Sequence, residues 1–183
     1  MFDYSEMELF DLLNTKQQFE EDSKWKRDTP CLSDPQNEIQ LLYDFVYEAA
    51  TSIMDLGCGS QVLRKMLKSH QKYIPVDYKP RSDDTVLCDF NKGEFPRHGA
   101  DACLICGCLE YVVDWRAFLK KVSGSCNQIV LSYRTTESCD IRHVMWVNNV
   151  SEADLTRYIS DLGFELVEYK DCSQSRLFSF VKQ

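Results

Sequence analysis

Ile53-Met54-Asp55-Leu56-Gly57-Cys58-Gly59 is a short apolar run that passes straight into an Asp-x-Gly-x-Gly turn. The run predicts a strand, and the two glycines predict a turn where backbone can approach a ligand with no side chain in the way. Asp77 follows Gly57 by 20 positions, at the end of a second apolar stretch, Tyr73-Ile74-Pro75-Val76. Asp89 closes a third stretch, Thr85-Val86-Leu87-Cys88. Three strands each ending in an acid, the first with a glycine turn, predict a nucleoside-binding edge. A carboxylate at the end of the second strand can accept both hydroxyls of a ribose.

Outward from this stretch, strand and helix signals alternate. After the glycine turn, Val62, Leu63, Met66 and Leu67 predict a helix with one apolar face. Strands are expected over 73–77 and 85–89, and Asp101 to Cys106 is nearly continuous in apolar character, as in a strand buried on both faces. Trp115, Phe118, Leu119 and Val122 mark another helix before strand 128–133. Residues 134–149 read as irregular. Ser151 and Asp154 bracket the start of a last helix, with Gly163 near its end. Phe164 to Tyr169 and Arg176 to Val181 are two closing strands, antiparallel because their connection is too short for a crossover. Upstream, residues 5–22 have amphipathic helical spacing. Asp34-Pro35 starts a further helix whose buried stripe is Ile39, Leu42, Phe45, Val46 and Ala49. The alternation predicts an α/β fold, a three-layer sandwich around a mainly parallel sheet, with its ligand at the C-terminal ends of the strands.

The chain has 183 residues, 44% of them hydrophobic, which suits one compact core. Its formal net charge of −8 argues against nucleic acid as the main partner, because such a binder needs a cationic footprint. Arg64, Lys65, Lys68, His70 and Lys72 cluster after the glycine turn, and a solvated face accounts for them. Acidic residues interrupt every apolar run at the N-terminus, and no stretch reaches membrane-spanning length. Nine cysteines without an export signal point to free thiols in the cytoplasm.

From Ile53 onward, over about 130 residues, the order of elements resembles the class I S-adenosylmethionine-dependent methyltransferases. The best-matched pieces are Asp55-Leu56-Gly57-Cys58-Gly59, Asp77, Asp89-Phe90, Cys108-Leu109-Glu110-Tyr111 and Gly163-Phe164. The resemblance implies a Rossmann-like, seven-stranded sheet with an antiparallel last strand, and S-adenosyl-L-methionine as cofactor. By that likeness, Gly57, Cys58 and Gly59 pass beneath the methionyl and ribose portion, and Asp55 anchors the amino end. Asp77 takes the ribose hydroxyls beside Tyr78. Asp89 accepts from the adenine amine, and Phe90 supplies a backbone amide and an apolar wall. Cys106 to Leu109 line the cofactor beside the reaction channel. A dinucleotide fold is the competitor, but it wants a third glycine where this chain has Val62. Gln61 stands where the family commonly has a small residue, so its side chain either crowds the methionyl carboxylate or hydrogen-bonds to it. The likeness divides the chain into an N-terminal helical extension or lid, 1–51, and a cofactor-binding unit, 52–183.

Methyl transfer is an in-line displacement that needs alignment, a dry pocket and a base only when the acceptor must lose a proton. Glu110 and Tyr111, after the fourth strand, and His143, in the irregular segment, are the candidates. Glu110 also reads as a helix-start acid and His143 as a solvated loop histidine. Trp146 suits either a substrate wall or packing, and Trp25 suits packing. The fourth strand ends Ile105-Cys106-Gly107-Cys108, without an Asn/Asp-Pro-Pro-aromatic turn, and no acid stands there to hold magnesium. Cys103-x-x-Cys106-x-Cys108 lacks the further ligands that zinc or an iron–sulfur cluster would need. The expectation is a metal-independent methyltransferase acting on a small-molecule or glycan-like acceptor. The alternative is a non-catalytic subunit working through a protein partner, similar to the methionine-biosynthesis protein W branch.

Overall fold

The computed structural model describes residues 35–140 and 142–183. The expected helix over 5–22, Trp25 and the N-cap residue Asp34 lie outside the described residues. Seven strands form one sheet: β1 (Ser52–Leu56), β2 (Lys72–Asp77), β3 (Val86–Leu87), β4 (Ala102–Ile105), β5 (Gln128–Tyr133), β6 (Phe164–Cys172) and β7 (Ser175–Lys182). Their order is β3-β2-β1-β4-β5-β7-β6. Strands β3, β2, β1, β4 and β5 pair in parallel, and β7 runs antiparallel to both β5 and β6. A tight connection joins β6 to β7 as a hairpin, with Cys172 opposite Ser175 and Ser173 at φ 54°.

Alternation along each strand divides the core between two faces. Met54, Leu56, Cys103, Ile105, Ile129, Leu131, Phe178 and Phe180 face helices α2 (Trp115–Ser123) and α3 (Glu152–Asp161), which contribute Phe118, Leu119, Val122, Leu155 and Ile159. Ile53, Leu104, Val130 and Leu177 point the other way, onto Ile39 and Leu42 of helix α1 (Pro35–Asp44) and onto Leu63. Both later helices start as their sequences dictate. Asp114 accepts from Ala117 N at 2.9 Å and Ser151 accepts from Asp154 N at 3.0 Å, each capping an otherwise orphaned amide.

Three elements are shorter than the periodicity predicts. The helix expected after the glycine turn is a single 3-10 turn, Val62–Lys65. Leu63 alone of its apolar set is fully buried, and Gln71 captures Lys68 N at 3.0 Å and reaches back to Ala50 O, ending any further winding. Helix α1 stops at Asp44 and leaves Ala49 exposed, because Gln128 takes Tyr47 N on its carbonyl and donates to Phe45 O at 2.7 Å. Strand β3 keeps only Val86–Leu87, since Asp89 turns the chain into a 3-10 turn by accepting from Asn91 N at 3.0 Å.

Candidate functional site

Strand β1 lies between β2 and β4, so the strand order reverses there, the kind of switch point at which parallel sheets take ligands at the C-terminal ends of their strands. The turn after β1 folds over the end of β2: Gly57 N and Cys58 N both donate to Val76 O, at 2.8 and 3.0 Å. Gly57 and Gly59 have φ of 81° and 48°, conformations open to glycine. The two glycines serve different neighbours. A Cβ on Gly57 would meet Cys108 Sγ at 2.5 Å, whereas one on Gly59 would meet nothing nearer than Gly57 O at 3.9 Å. Gly57 lets two loops of the chain touch, and Gly59 leaves open space.

Asp77, at the end of β2, is only 4% exposed. Its Oδ2 accepts from Gly59 N at 3.0 Å and its Oδ1 from Lys79 N at 3.0 Å. These amides fix the carboxylate and leave one outward acceptor position on each oxygen. Arg81 covers that outward side: Nη2 donates to Oδ1 at 3.3 Å, and Nε makes an ion-pair contact with Oδ2 at 3.2 Å.

Asp55 is buried behind the turn, where Tyr73 OH donates to it at 2.6 Å. Burial pushes its carboxyl up to about 7; the Tyr73 hydrogen bond opposes that rise and the Asp77 charge adds to it. Burial, with the Asp55 and Asp77 charges, pushes the Cys58 thiol up to about 12. Gln61 takes up φ 56° and its side chain is buried. Its amide donates to Ser82 Oγ at 2.7 Å and Thr85 Oγ1 at 3.3 Å, and its carbonyl accepts from Arg64 Nε at 2.9 Å. Arg64 in turn grips Asp84 with bonds of 2.7 and 2.9 Å. The bulky residue at this position therefore pins the β2–β3 connection to the glycine turn.

Tyr78 is exposed with Lys79 Nζ over its ring, and Asp89 is half-buried and paired with Lys92 at 3.5 Å. The Phe90 ring packs against Phe118, with centroids 4.7 Å apart. After β4, Gly107 N donates to Ser132 Oγ at 3.1 Å, Cys106 sits among Ser132, Glu38, Asp55 and Glu110, and Leu109 is fully buried in the core.

Glu110 is also fully buried. Its Oε1 accepts from Arg134 N and from Arg134 Nη1, both at 3.2 Å, and Arg134 Nη2 lies 3.6 Å from Glu38 of α1. Burial raises the Glu110 carboxyl above its usual range while Arg134 opposes the rise. The segment that reads as irregular is closely tied to this cluster. Val147 N donates to Glu110 O at 2.9 Å, and Asn148 Nδ2 donates to Leu109 O and Val112 O at 2.7 and 2.9 Å. Arg142 bonds to the carbonyls of Arg134 and Asn148, and both guanidinium groups pack on the Trp146 ring, at 5.4 Å for Arg134 and 4.6 Å for Arg142. Trp146 thus packs within the loop. His143 Nδ1 accepts from Met145 N at 3.2 Å, so the neutral ring carries its proton on Nε2 and presents a donor there.

The expected residues of the turn, Asp77 and Cys106 gather at one sheet edge. Sequence reasoning missed Arg81, Glu38, Arg134 and Asn148. A basic residue four positions after the strand-end acid could have signalled Arg81, whereas the other three act across gaps of 24 residues or more that no local pattern reveals.

No family model matches the sequence, and no curated protein does. Solved structures do share its fold. The Burkholderia thailandensis 1,6-didemethyltoxoflavin-N1-methyltransferase, with 1,6-didemethyltoxoflavin and S-adenosylhomocysteine bound, matches with a TM-score of 0.69 at 13% identity, over 100% of this chain and 92% of its own. A chain from a complex of the Haloferax volcanii Trm112 methyltransferase activator matches with a TM-score of 0.61 at 15% identity, over 94% and 95%. The neocarzinostatin O-methyltransferase NcsB1, bound to S-adenosylmethionine and a naphthoic acid, matches with 0.61 at 14% identity; 81% of this chain is covered, and it spans 55% of NcsB1. The chain therefore has the fold of the class I S-adenosylmethionine-dependent methyltransferases.

Proposed function

We propose that this chain binds S-adenosyl-L-methionine at the β1–β2–β4 edge and transfers its methyl group to a small-molecule or glycan-like acceptor. The observation that carries the reading is the Asp77 carboxylate. Backbone amides fix it with one outward acceptor position per oxygen, beside an open Gly59, which suits a vicinal diol on a nucleoside. The fold neighbours supply the cofactor class, and the acceptors named with them are small molecules.

In this reading the cofactor supplies an electrophilic methyl group on a sulfonium, and the chain's residues bind, orient and exclude water. Asp77 receives the ribose and Tyr78 lies beside it. Gly57, Cys58 and Gly59 carry the chain beneath the methionyl part, with Asp55 behind them. Asp89 and the backbone of Phe90 face the adenine. Cys106 and the Leu109 backbone border the reaction channel. Glu110, buried on Arg134, positions this channel rather than exchanging protons in it, which leaves Tyr111 and His143 as the groups to meet the acceptor. Helix α1 delivers Glu38 to the same cluster, and in this reading residues 52–183 are the cofactor-binding unit. The free thiols among the described residues favour a reducing compartment such as the cytoplasm, and no helix among those residues is long and apolar enough to cross a membrane. The complex of one fold neighbour with an activator makes a protein partner compatible with this reading, while a purely non-catalytic role is not favoured because the neighbours are methyltransferases.

Calorimetric titration with S-adenosylhomocysteine tests the reading. Wild-type protein should bind, and Asp77→Asn should lose about 1–3 kcal/mol of affinity, the value of hydrogen bonds to a charged group. Absence of binding at millimolar ligand would sink the cofactor assignment.

A further inference from the structure

We propose that Arg81 is an internal competitor for the nucleoside site, a specificity-determining residue that a vicinal diol must displace from Asp77; this rests on the cofactor reading above. The carboxylate offers four acceptor positions. Gly59 N and Lys79 N hold one on each oxygen, and these are backbone bonds that shape the turn. The Arg81 guanidinium covers the other two, with Nη2 donating to Oδ1 at 3.3 Å and Nε in ion-pair contact with Oδ2 at 3.2 Å. Two donors set side by side on two oxygens are also what the 2′- and 3′-hydroxyls of a ribose would present. Arg81 and a diol therefore cannot both pair fully with Asp77.

The surroundings decide what moves. The connection that carries Arg81 is held on several sides: Gln61 grips Ser82 and Thr85, Arg64 grips Asp84 with two bonds, and Arg81 N donates to Thr85 Oγ1 at 3.2 Å. Asp77 is buried and fixed by amides, while the Arg81 side chain is 36% exposed. Exchange thus proceeds by rotation of the Arg81 side chain into solvent, with the loop backbone in place. Gln61, the residue that departs from the family pattern, keeps Arg81 poised over the carboxylate.

The test is calorimetry on wild type, Arg81→Ala and Arg81→Lys, with S-adenosylhomocysteine, adenosine and 2′,3′-dideoxyadenosine as probes. Arg81→Ala should bind the two diol-bearing probes about two- to fivefold more tightly than wild type, the range of a partly exposed ion pair. Arg81→Lys, which keeps the charge but loses the fork, should fall between. Raising the salt should narrow the gap by screening the pair. The dideoxy probe should show no gain. Equal or weaker binding of S-adenosylhomocysteine by Arg81→Ala overturns the proposal and makes Arg81 neutral or a ligand contact, and an equal gain for the dideoxy probe overturns it too. If neither wild type nor Arg81→Ala binds S-adenosylhomocysteine at millimolar concentration, the cofactor reading itself fails and the competitor role falls with it.

Discussion

The turn after β1 and the segment 134–149 both stand at the C-terminal edge of the sheet, yet they are built differently. The turn is shaped mainly by backbone: Gly57 and Cys58 amides on Val76 O, and the Gly59 amide on Asp77. Its conformation follows from glycines at two positions and an acid at the next strand end. The segment is held by side chains, Glu38 from α1 and Glu110 from beyond β4 together with Arg134, Arg142 and Asn148 of its own. The difference teaches why the cofactor class and the acceptor are not equally readable. In the proposed reading the nucleoside would be met by backbone geometry that short patterns encode, and the acceptor by a surface composed by the tertiary fold.

The largest expected effect breaks the side-chain half of this comparison. Arg134→Met removes the cation between two buried carboxylates, and a buried charge left without its partner typically costs about 3–5 kcal/mol. Urea denaturation should show that loss at neutral pH and a smaller one in acid, where the Glu110 carboxyl, raised by burial, takes up its proton. A loss below about 1 kcal/mol would mean that the cluster does not hold the segment, and the contrast between the two regions would lapse.

Much of the fold was legible because strand burial writes itself into short apolar runs. Gln128–Tyr133 has the bounds that its run predicts, and Ser151 caps its helix as its sequence implies. The misses share a cause. The helix after the glycine turn, the end of α1 and the length of β3 were each set by a polar side chain, Gln71, Gln128 or Asp89, that captured a backbone group periodicity would have left to helix or strand. At the site, the strand-end positions of Asp55 and Asp77 were readable. The role of Gln61 was not, because its partners Ser82 and Thr85 are more than 20 residues away and its φ of 56° has no sequence mark.

A second prediction asks whether charge is managed differently in the two regions. Asp55 has its carboxyl pushed up to about 7 by burial, against about 3.9 for an unfolded aspartate. The folded chain therefore keeps a proton that the unfolded chain has released between those values. Stability from this group is fully present below about pH 4, falls as pH rises and is lost above about pH 7, by about 2–4 kcal/mol in all. Asp55→Asn should flatten that slope, matching wild type near pH 4 and exceeding it at pH 8 in thermal melts. Parallel pH profiles for the two proteins would show that Asp55 is ionised in the fold and that Tyr73 and nearby dipoles stabilise the charge.

The smallest effect sharpens the claim that the turn is a matter of backbone, because Gly57 answers to a side chain as well. Alanine there must adopt φ 81° and place its Cβ 2.5 Å from Cys108 Sγ and 2.7 Å from Cys108 Cβ. The conformation costs about 1–2 kcal/mol for a residue with a Cβ, and the overlap adds about 1 kcal/mol or more. Cys108→Gly removes both overlapping atoms and leaves the conformational cost alone. In a double-mutant cycle followed by denaturation, Gly57→Ala should therefore cost about 2–3 kcal/mol in wild type and about 1 kcal/mol less in the Cys108→Gly background. Equal costs in both backgrounds would assign the whole penalty to φ, making the turn a purely local device. The expected coupling would instead show that the glycine that opens the turn after β1 also lets the loop after β4 close against it.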